Sequence, residues 1–170
     1  MTLHSLASYT DVGLRAEGSP SSPPVQSPIP VSVKTRLGVK EIVIEKWIEI
    51  LLAEKPAVIT LHGRTLKQMY KGEADWSAIA KAATIAKGSG TLIFGNGDIR
   101  SREDALRRMD ETGVDGVLIG RAAIGNPWIF SPDSKEVGAQ ERCALALEHC
   151  RYFEEHHPER FFPSLRKHLS

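Results

Sequence analysis

Hydrophobic and polar positions follow two rhythms along this chain, and the switch from one to the other recurs four times. From Val31 to Arg36 apolar and polar residues alternate in a β-branched run, which predicts a strand. From Glu41 to Glu54 the apolar positions Ile44, Trp47, Ile48, Leu51 and Leu52 fall on one helical face, and Pro56 then breaks the pattern. Ala57 to His62 predicts a second strand. Trp76 to Lys87 predicts a helix with Ile79, Ala80 and Ala83 inward, ended by Gly88 and Gly90. Thr91 to Phe94 is a short apolar run of the buried parallel type. Ser101, with Asp104 three residues on as a capping-box partner, opens a helix whose inner face is Leu106 and Met109 and which Gly113 stops. Gly116 to Gly120 predicts the fourth strand. Beyond Pro132 a longer helix, about Gln140 to Glu155, carries Cys143, Ala146, Leu147, Cys150 and Phe153 on one stripe, and Pro158 ends it. One more helix is expected to begin near Ser164.

Repeated strand–helix alternation with buried strands implies a parallel sheet covered by helices. Two architectures satisfy it, a (β/α)8 barrel and an open doubly wound sheet. A closed barrel takes eight units and about 250 residues, so half of one is expected here. Residues 1–29 differ from the rest: Ser19 to Pro24 and Pro28 to Pro30 have few large apolar residues and neither rhythm. Such a segment buries too little to offset its ordering entropy, and a disordered arm is expected.

Composition changes this picture little. The 170 residues are 41% hydrophobic and 25% charged, both globular values. No apolar run is long enough for a transmembrane helix, and Met1 to Ser8 lacks the start of a signal peptide. Cys143 and Cys150 match no zinc or disulfide spacing, so a reduced, cytoplasmic protein without a metal is expected. A net charge of +1 makes no case for nucleic acid. The local clusters Arg64/Lys67/Lys71, Arg100/Arg102/Arg107/Arg108 and Arg166/Lys167/His168 read, taken alone, as solvated faces.

Candidate chemistry gathers where both architectures bind ligands, at the carboxyl ends of the strands. Lys34 and Arg36 close the first strand on one face, and two such cations need an anionic or carbonyl-rich partner, from a ligand or from a protein carboxylate. His62-Gly63-Arg64-Thr65 closes the second. Gly95-Asn96-Gly97-Asp98 closes the third, either as a plain turn or as backbone that approaches a ligand closely. Gly120-Arg121-Ala122-Ala123, running from strand into helical turn, offers backbone N–H groups and a guanidinium to a phosphate. No dinucleotide fingerprint, P-loop or nucleophilic triad occurs.

These residues carry a family resemblance. Val33-Lys34-Thr35-Arg36-Leu37-Gly38, His62 to Thr65 with Gln68, Tyr70 and Gly72, Gly95 to Ile99, Gly116 to Ala123, and Gly125-Asn126-Pro127-Trp128-Ile129-Phe130 resemble the tRNA-dihydrouridine synthases, in order, over about residues 29–170. Arg166 to Leu169 resembles the start of a helix in their C-terminal helical domain. The resemblance implies the C-terminal half of an FMN-binding TIM barrel over residues 30–132, then the start of a tRNA-binding helical domain over 133–170. It implies FMN reduced by NADPH, hydride delivery to C6 of a tRNA uridine, and protonation at C5 by an acid. By position, Lys34 and His62 would lie at the flavin. Asn96, Gly97, Gly120 and Arg121 would hold its ribityl phosphate, with Asp98 also among the cofactor-binding residues, and Arg36, Arg64 and Tyr70 would line the uracil side. Arg166 and Lys167 would touch tRNA phosphates.

The departures raise their own expectations. In the resembled family an N-terminal half barrel supplies a loop cysteine as the acid, and nothing in residues 1–29 resembles it. Cys143 and Cys150 fall after the barrel, so no catalytic acid is identified in this chain. A fragment is therefore expected. A non-catalytic half barrel that binds FMN or self-associates through open sheet edges is the alternative. Another phosphate-binding barrel enzyme, acting on a sugar phosphate or nucleotide, is the third reading.

Overall fold

The computed structural model describes residues 29–132 and 137–168. The Ser/Pro-rich arm expected over residues 1–29 therefore lies, except for Ile29, outside the described residues. Strands β1 (Ser32–Arg36), β2 (Val58–His62), β3 (Leu92–Asn96) and β4 (Gly116–Leu118) alternate with helices α1 (Ile44–Ala53), α2 (Trp76–Ala86) and α3 (Arg102–Thr112). The strands form one parallel sheet in the order β1-β2-β3-β4. That sequential order is the stave arrangement of a (β/α)8 barrel, and the four described strands contain no strand-order reversal of the doubly wound kind.

Strict alternation divides the sheet into two faces. Odd-numbered residues meet the helices: Ile59, Leu61 and Ile93 pack with Ile44, Ile48, Trp76, Ile79 and Ala82 in the core. Even-numbered residues form the opposite face. Its rungs are Lys34, Thr60, Phe94 and Gly116, and then, at the carboxyl ends, Arg36, His62, Asn96 and Leu118.

Helix phases depart from the sequence pattern in instructive ways. α1 begins at Ile44, three residues later than expected, because Val43 N–H is taken by Leu37 O at 2.9 Å in the loop leaving β1. On α2 the buried side chains are Trp76, Ala78, Ile79, Ala82 and Ala86, whereas Ala80 and Ala83 are only half-buried. The Asp75 side chain accepts from Ala78 N–H at 2.9 Å and fixes that start. On α3, Leu106 is not inward: it is 47% exposed, and Ala105 is the buried residue. The Ser101 cap sets the phase, accepting from Asp104 N–H at 3.1 Å and placing Ala105 and Met109 toward the core. Asp104 does not close the box on Ser101; its Oδ2 accepts from Arg100 N–H at 3.1 Å instead. Gly113 ends α3 in the left-handed region at φ 69°, as expected.

After β4 come two 3-10 turns, Arg121–Ala123 and Pro127–Phe130, then helix α4 (Ala139–His156) and a 3-10 turn over Phe162–His168. The apolar stripe expected on α4 does not form a buried face: Cys143 and Leu147 are exposed, and the helix has no buried residue. Arg142 stacks on Trp128, 5.6 Å from its ring centroid, joining α4 to the turn before it.

Candidate functional site

One cavity of about 630 Å3 opens over the carboxyl ends of the four strands. Its walls include Lys34 and Arg36 from β1, His62 and Arg64 from the end of β2, and Tyr70 from the following loop. Asn96, Gly97 and Asp98 line it at the end of β3, and Gly120 and Arg121 after β4. The ten flavin- and uracil-side residues expected from the sequence thus share one wall, whereas Gly63, Thr65, Gly95 and Ala123 from the same strand ends do not line it. Parallel register causes this, because Arg36, His62 and Asn96 occupy a single rung and must project together. Ile99, Arg100 and Leu118 also line the cavity and were not singled out. Leu118 completes that rung, so its period-two position was the available signal. Arg100 was hidden in a cluster read as a solvated face.

Five cations and one carboxylate face the cavity. Among the described residues neither Lys34 nor Arg36 is ion-paired, so no protein carboxylate answers them. Arg36 Nη1 donates to Thr65 O at 3.0 Å and to Met69 O at 3.4 Å. Lys34 has its pKa lowered, by desolvation first and by the Arg36 charge second. His62 is pushed down to about 4 by desolvation and then by the Arg36, Lys34 and Arg64 charges, against the opposing pull of Asp98. Its imidazole is neutral at pH 7 and presents one donor and one acceptor nitrogen.

Arg64 is 2% exposed, which removes it from the solvated face its sequence cluster suggested. Its Nη2 donates to Asp98 Oδ2 at 2.6 Å and to Gly72 O at 2.7 Å, and its Nη1 lies 3.4 Å from His62 Nε2. Asp98 Oδ2 also accepts from Ala74 N–H at 2.7 Å, and Asp98 Oδ1 from Arg121 Nη2 at 2.8 Å. Arg121 in turn lies 5.6 Å from the Tyr70 ring centroid, a cation–π contact. The remaining basic clusters divide similarly. Arg107 pairs with Asp104 and Glu111, and Arg108 stacks over Trp76. Arg166 is exposed on the final turn, and the side chain of Lys167 lies outside the described residues.

The glycines separate into two kinds. A Cβ at Gly95 would sit 2.4 Å from the Trp76 ring, and one at Gly97 would sit 2.6 Å from Ala74 Cβ. Gly95 does not line the cavity. Its small size serves the Trp76 ring, whose Nε1 donates to Gly97 O at 3.1 Å, so close approach to a ligand is not what requires glycine there. Gly120 differs: it lines the cavity, and a Cβ built on it meets nothing within 4 Å. Open space lies directly against its backbone, beside Arg121.

The dihydrouridine synthase (Dus) family model matches residues 24–169. The chain belongs to the dihydrouridine synthase family. It is 41% identical over 124 residues to a "Probable tRNA-dihydrouridine synthase" of Aquifex aeolicus, covering 71% of this chain and 38% of that protein. A Staphylococcus epidermidis protein of the same name is 35% identical over 144 residues, covering 82% of this chain and 44% of that one. A Xenopus tropicalis protein named "tRNA-dihydrouridine(47) synthase [NAD(P)(+)]-like" is 38% identical over 134 residues, 75% of this chain and 20% of that protein. The chain therefore spans less than half the length of these dihydrouridine synthases. Its parallel sheet supplies four staves of the family's TIM barrel.

Proposed function

We propose that this chain carries the flavin and uracil side of a tRNA-dihydrouridine synthase site. The carrying observation is the gathering of Lys34, His62, Asn96, Gly97, Gly120 and Arg121 with Arg36, Arg64 and Tyr70 around one basic cavity of about 630 Å3. That volume lies within the range of small-molecule and cofactor sites. FMN fits the donor set: a cationic wall for its phosphate, open backbone at Gly120 for close approach, and neutral hydrogen-bonding groups at His62 and Asn96. Bound flavin, with NADPH as reductant, supplies hydride chemistry for saturating the C5=C6 bond of a uridine.

The chain's own residues bind and orient. Arg121 and the Gly120 backbone hold the phosphate end. Lys34, with no carboxylate partner among the described residues, offers its ammonium to electron-rich carbonyls of the ring system. Arg36 keeps donors beyond those it gives to Thr65 and Met69, and these meet the carbonyls of a uracil taken out of its stack. Arg64 shapes the uracil side from below through Asp98 and Gly72. Tyr70, exposed at the rim, closes that side with its ring. Residues 133–170 begin a tRNA-binding helical region in which Arg166 and Lys167 contact phosphates, and the protein works in the cytoplasm. No helix among the described residues is long and apolar enough to cross a membrane.

A second reading, flavin binding without turnover by this chain alone, is favoured by the position of Cys143 and Cys150 on α4 rather than in the cavity wall. Absorbance of the purified chain after FMN loading and removal of excess tests the first claim. A retained flavin band, weakened in Lys34→Ala and Arg121→Gln, is expected. Folded protein that retains no flavin overturns it. Addition of NADPH and unmodified tRNA to the loaded chain then separates turnover from binding alone.

A further inference from the structure

Asp98 was grouped with the cofactor ligands by position, yet an ionised carboxylate has nothing to offer a phosphate but repulsion. Its carboxyl is pushed up by burial, but the Arg64 and Ala74 hydrogen bonds and the Arg64 and Arg121 charges outweigh this and hold it below the usual range. Both oxygens are occupied. Oδ2 accepts from buried Arg64 at 2.6 Å and from Ala74 N–H at 2.7 Å, while Oδ1 accepts from exposed Arg121 at 2.8 Å. The residue stands on left-handed backbone at φ 55°, directly after the turn fixed by the Trp76–Gly97 contact. Its carboxylate is thus anchored by two donors on Oδ2 before Oδ1 meets Arg121.

From this geometry we propose that Asp98 is a positioning residue: it holds the Arg121 guanidinium against the cavity so that its remaining N–H groups face the anionic end of the ligand. This rests on the phosphate reading given above and adds how that contact is aimed. Asp98 takes a single Arg121 nitrogen, Nη2, and an arginine carries five N–H donors. The guanidinium also lies over the Tyr70 ring, 5.6 Å from its centroid. An arginine on the solvent side of a loop would otherwise lose its side-chain freedom when the ligand binds, and that ordering weakens affinity by roughly three- to tenfold. Here the ordering precedes binding. Arg64 serves as the buried counter-charge that keeps the carboxylate in place and directed outward.

The test compares two probes on the full chain, FMN and riboflavin, which differ only by the phosphate. Fluorescence quenching gives both affinities, and their ratio isolates the phosphate contact. Wild type is expected to prefer FMN. Arg121→Gln should remove most of that preference, and Asp98→Asn should reduce it about three- to tenfold while leaving riboflavin binding unchanged. In the Arg121→Gln background Asp98→Asn should have no further effect on the ratio. Equal weakening of FMN and riboflavin by Asp98→Asn, or the same loss of ratio in both backgrounds, overturns the positioning role. A wild-type chain that binds both flavins equally overturns the phosphate reading itself, and with it this one. Asp98→Asn leaves Arg64 buried without its counter-charge and can fail to fold. The ratio is then read in Arg64→Gln and in Arg64→Gln/Asp98→Asn: Ala74 N–H still holds Oδ2, so a smaller loss between the two is expected, and no loss overturns the role.

Discussion

The two faces of the sheet are built from adjacent residues and do opposite things. Ile93 and Leu92 are neighbours on β3, yet Ile93 is 2% exposed among the helices and Leu92 is 46% exposed on the other side. The same alternation separates Leu61 from His62 and Thr35 from Arg36. On the odd face, side chains exclude water and hold the fold. On the even face, cations, an imidazole and an amide line a cavity. A strand with a period of two can therefore serve stability and chemistry at once, with little interference between them.

The largest expected effect tests that division directly. Ile93→Ala should destabilise the chain by about 2–5 kcal/mol through lost burial and a cavity, whereas Leu92→Ala should change stability by no more than about 0.5 kcal/mol. Urea unfolding of both variants measures it, and equal losses would break the two-face account. Next come the glycines. Gly95→Ala drives a methyl into the Trp76 ring and should destabilise by about 1–3 kcal/mol. Gly120→Ala should leave the packed helical face undisturbed and weaken flavin retention instead. If both variants act only on stability, the cavity wall at Gly120 is not a ligand surface.

The smallest effect is electrostatic. His62 has a folded-state pKa of about 4, against 6.5 ordinarily. As pH falls from 6.5 toward 4 the unfolded chain takes up this proton first, so the contribution of His62 to stability is present above pH 6.5 and is lost through that window. His62→Gln should flatten the decline in stability there. A histidine NMR titration should place the His62 midpoint well below 6.5, and a midpoint near 6.5 would mean that neither its burial nor the Arg36, Lys34 and Arg64 charges act on it.

Much of this was legible in the sequence because the strands and their ends are local features. The β-branched run Val31 to Arg36, the apolar run before Asn96 and the glycines after each strand fix both register and rim, so most of the cavity-lining set follows from strand ends, while Tyr70 comes from the family resemblance and Ile99, Arg100 and Leu118 do not follow from them. What could not be read depends on distant partners. Asp98 meets Arg64 and Arg121 across 34 and 23 residues of sequence. Arg64 therefore looked like a surface cation, and nothing local to Asp98 showed that it bridges Arg64 and Arg121. Gly95 looked like a ligand-approach glycine because the Trp76 ring that requires it arrives from another element. Leu106 misled for a different reason: on a short helix, a shift of one residue in phase turns an inward position outward, and only the Ser101 cap sets that phase.

Beyond the strands, the parallel ladder does not stop at the rim. Leu37 N–H donates to Arg64 O, Leu66 N–H to Gly38 O and Lys67 N–H to Val39 O, at 3.2, 2.9 and 2.9 Å. The loops after β1 and β2 are stitched together main chain to main chain, and Arg36 adds its bonds to Thr65 and Met69. In hydrogen exchange, the amides of Leu66 and Lys67 should behave like strand amides despite their exposed side chains. The rim on this side acts as a fixed jaw, so a guest must fit its contour rather than pry it open.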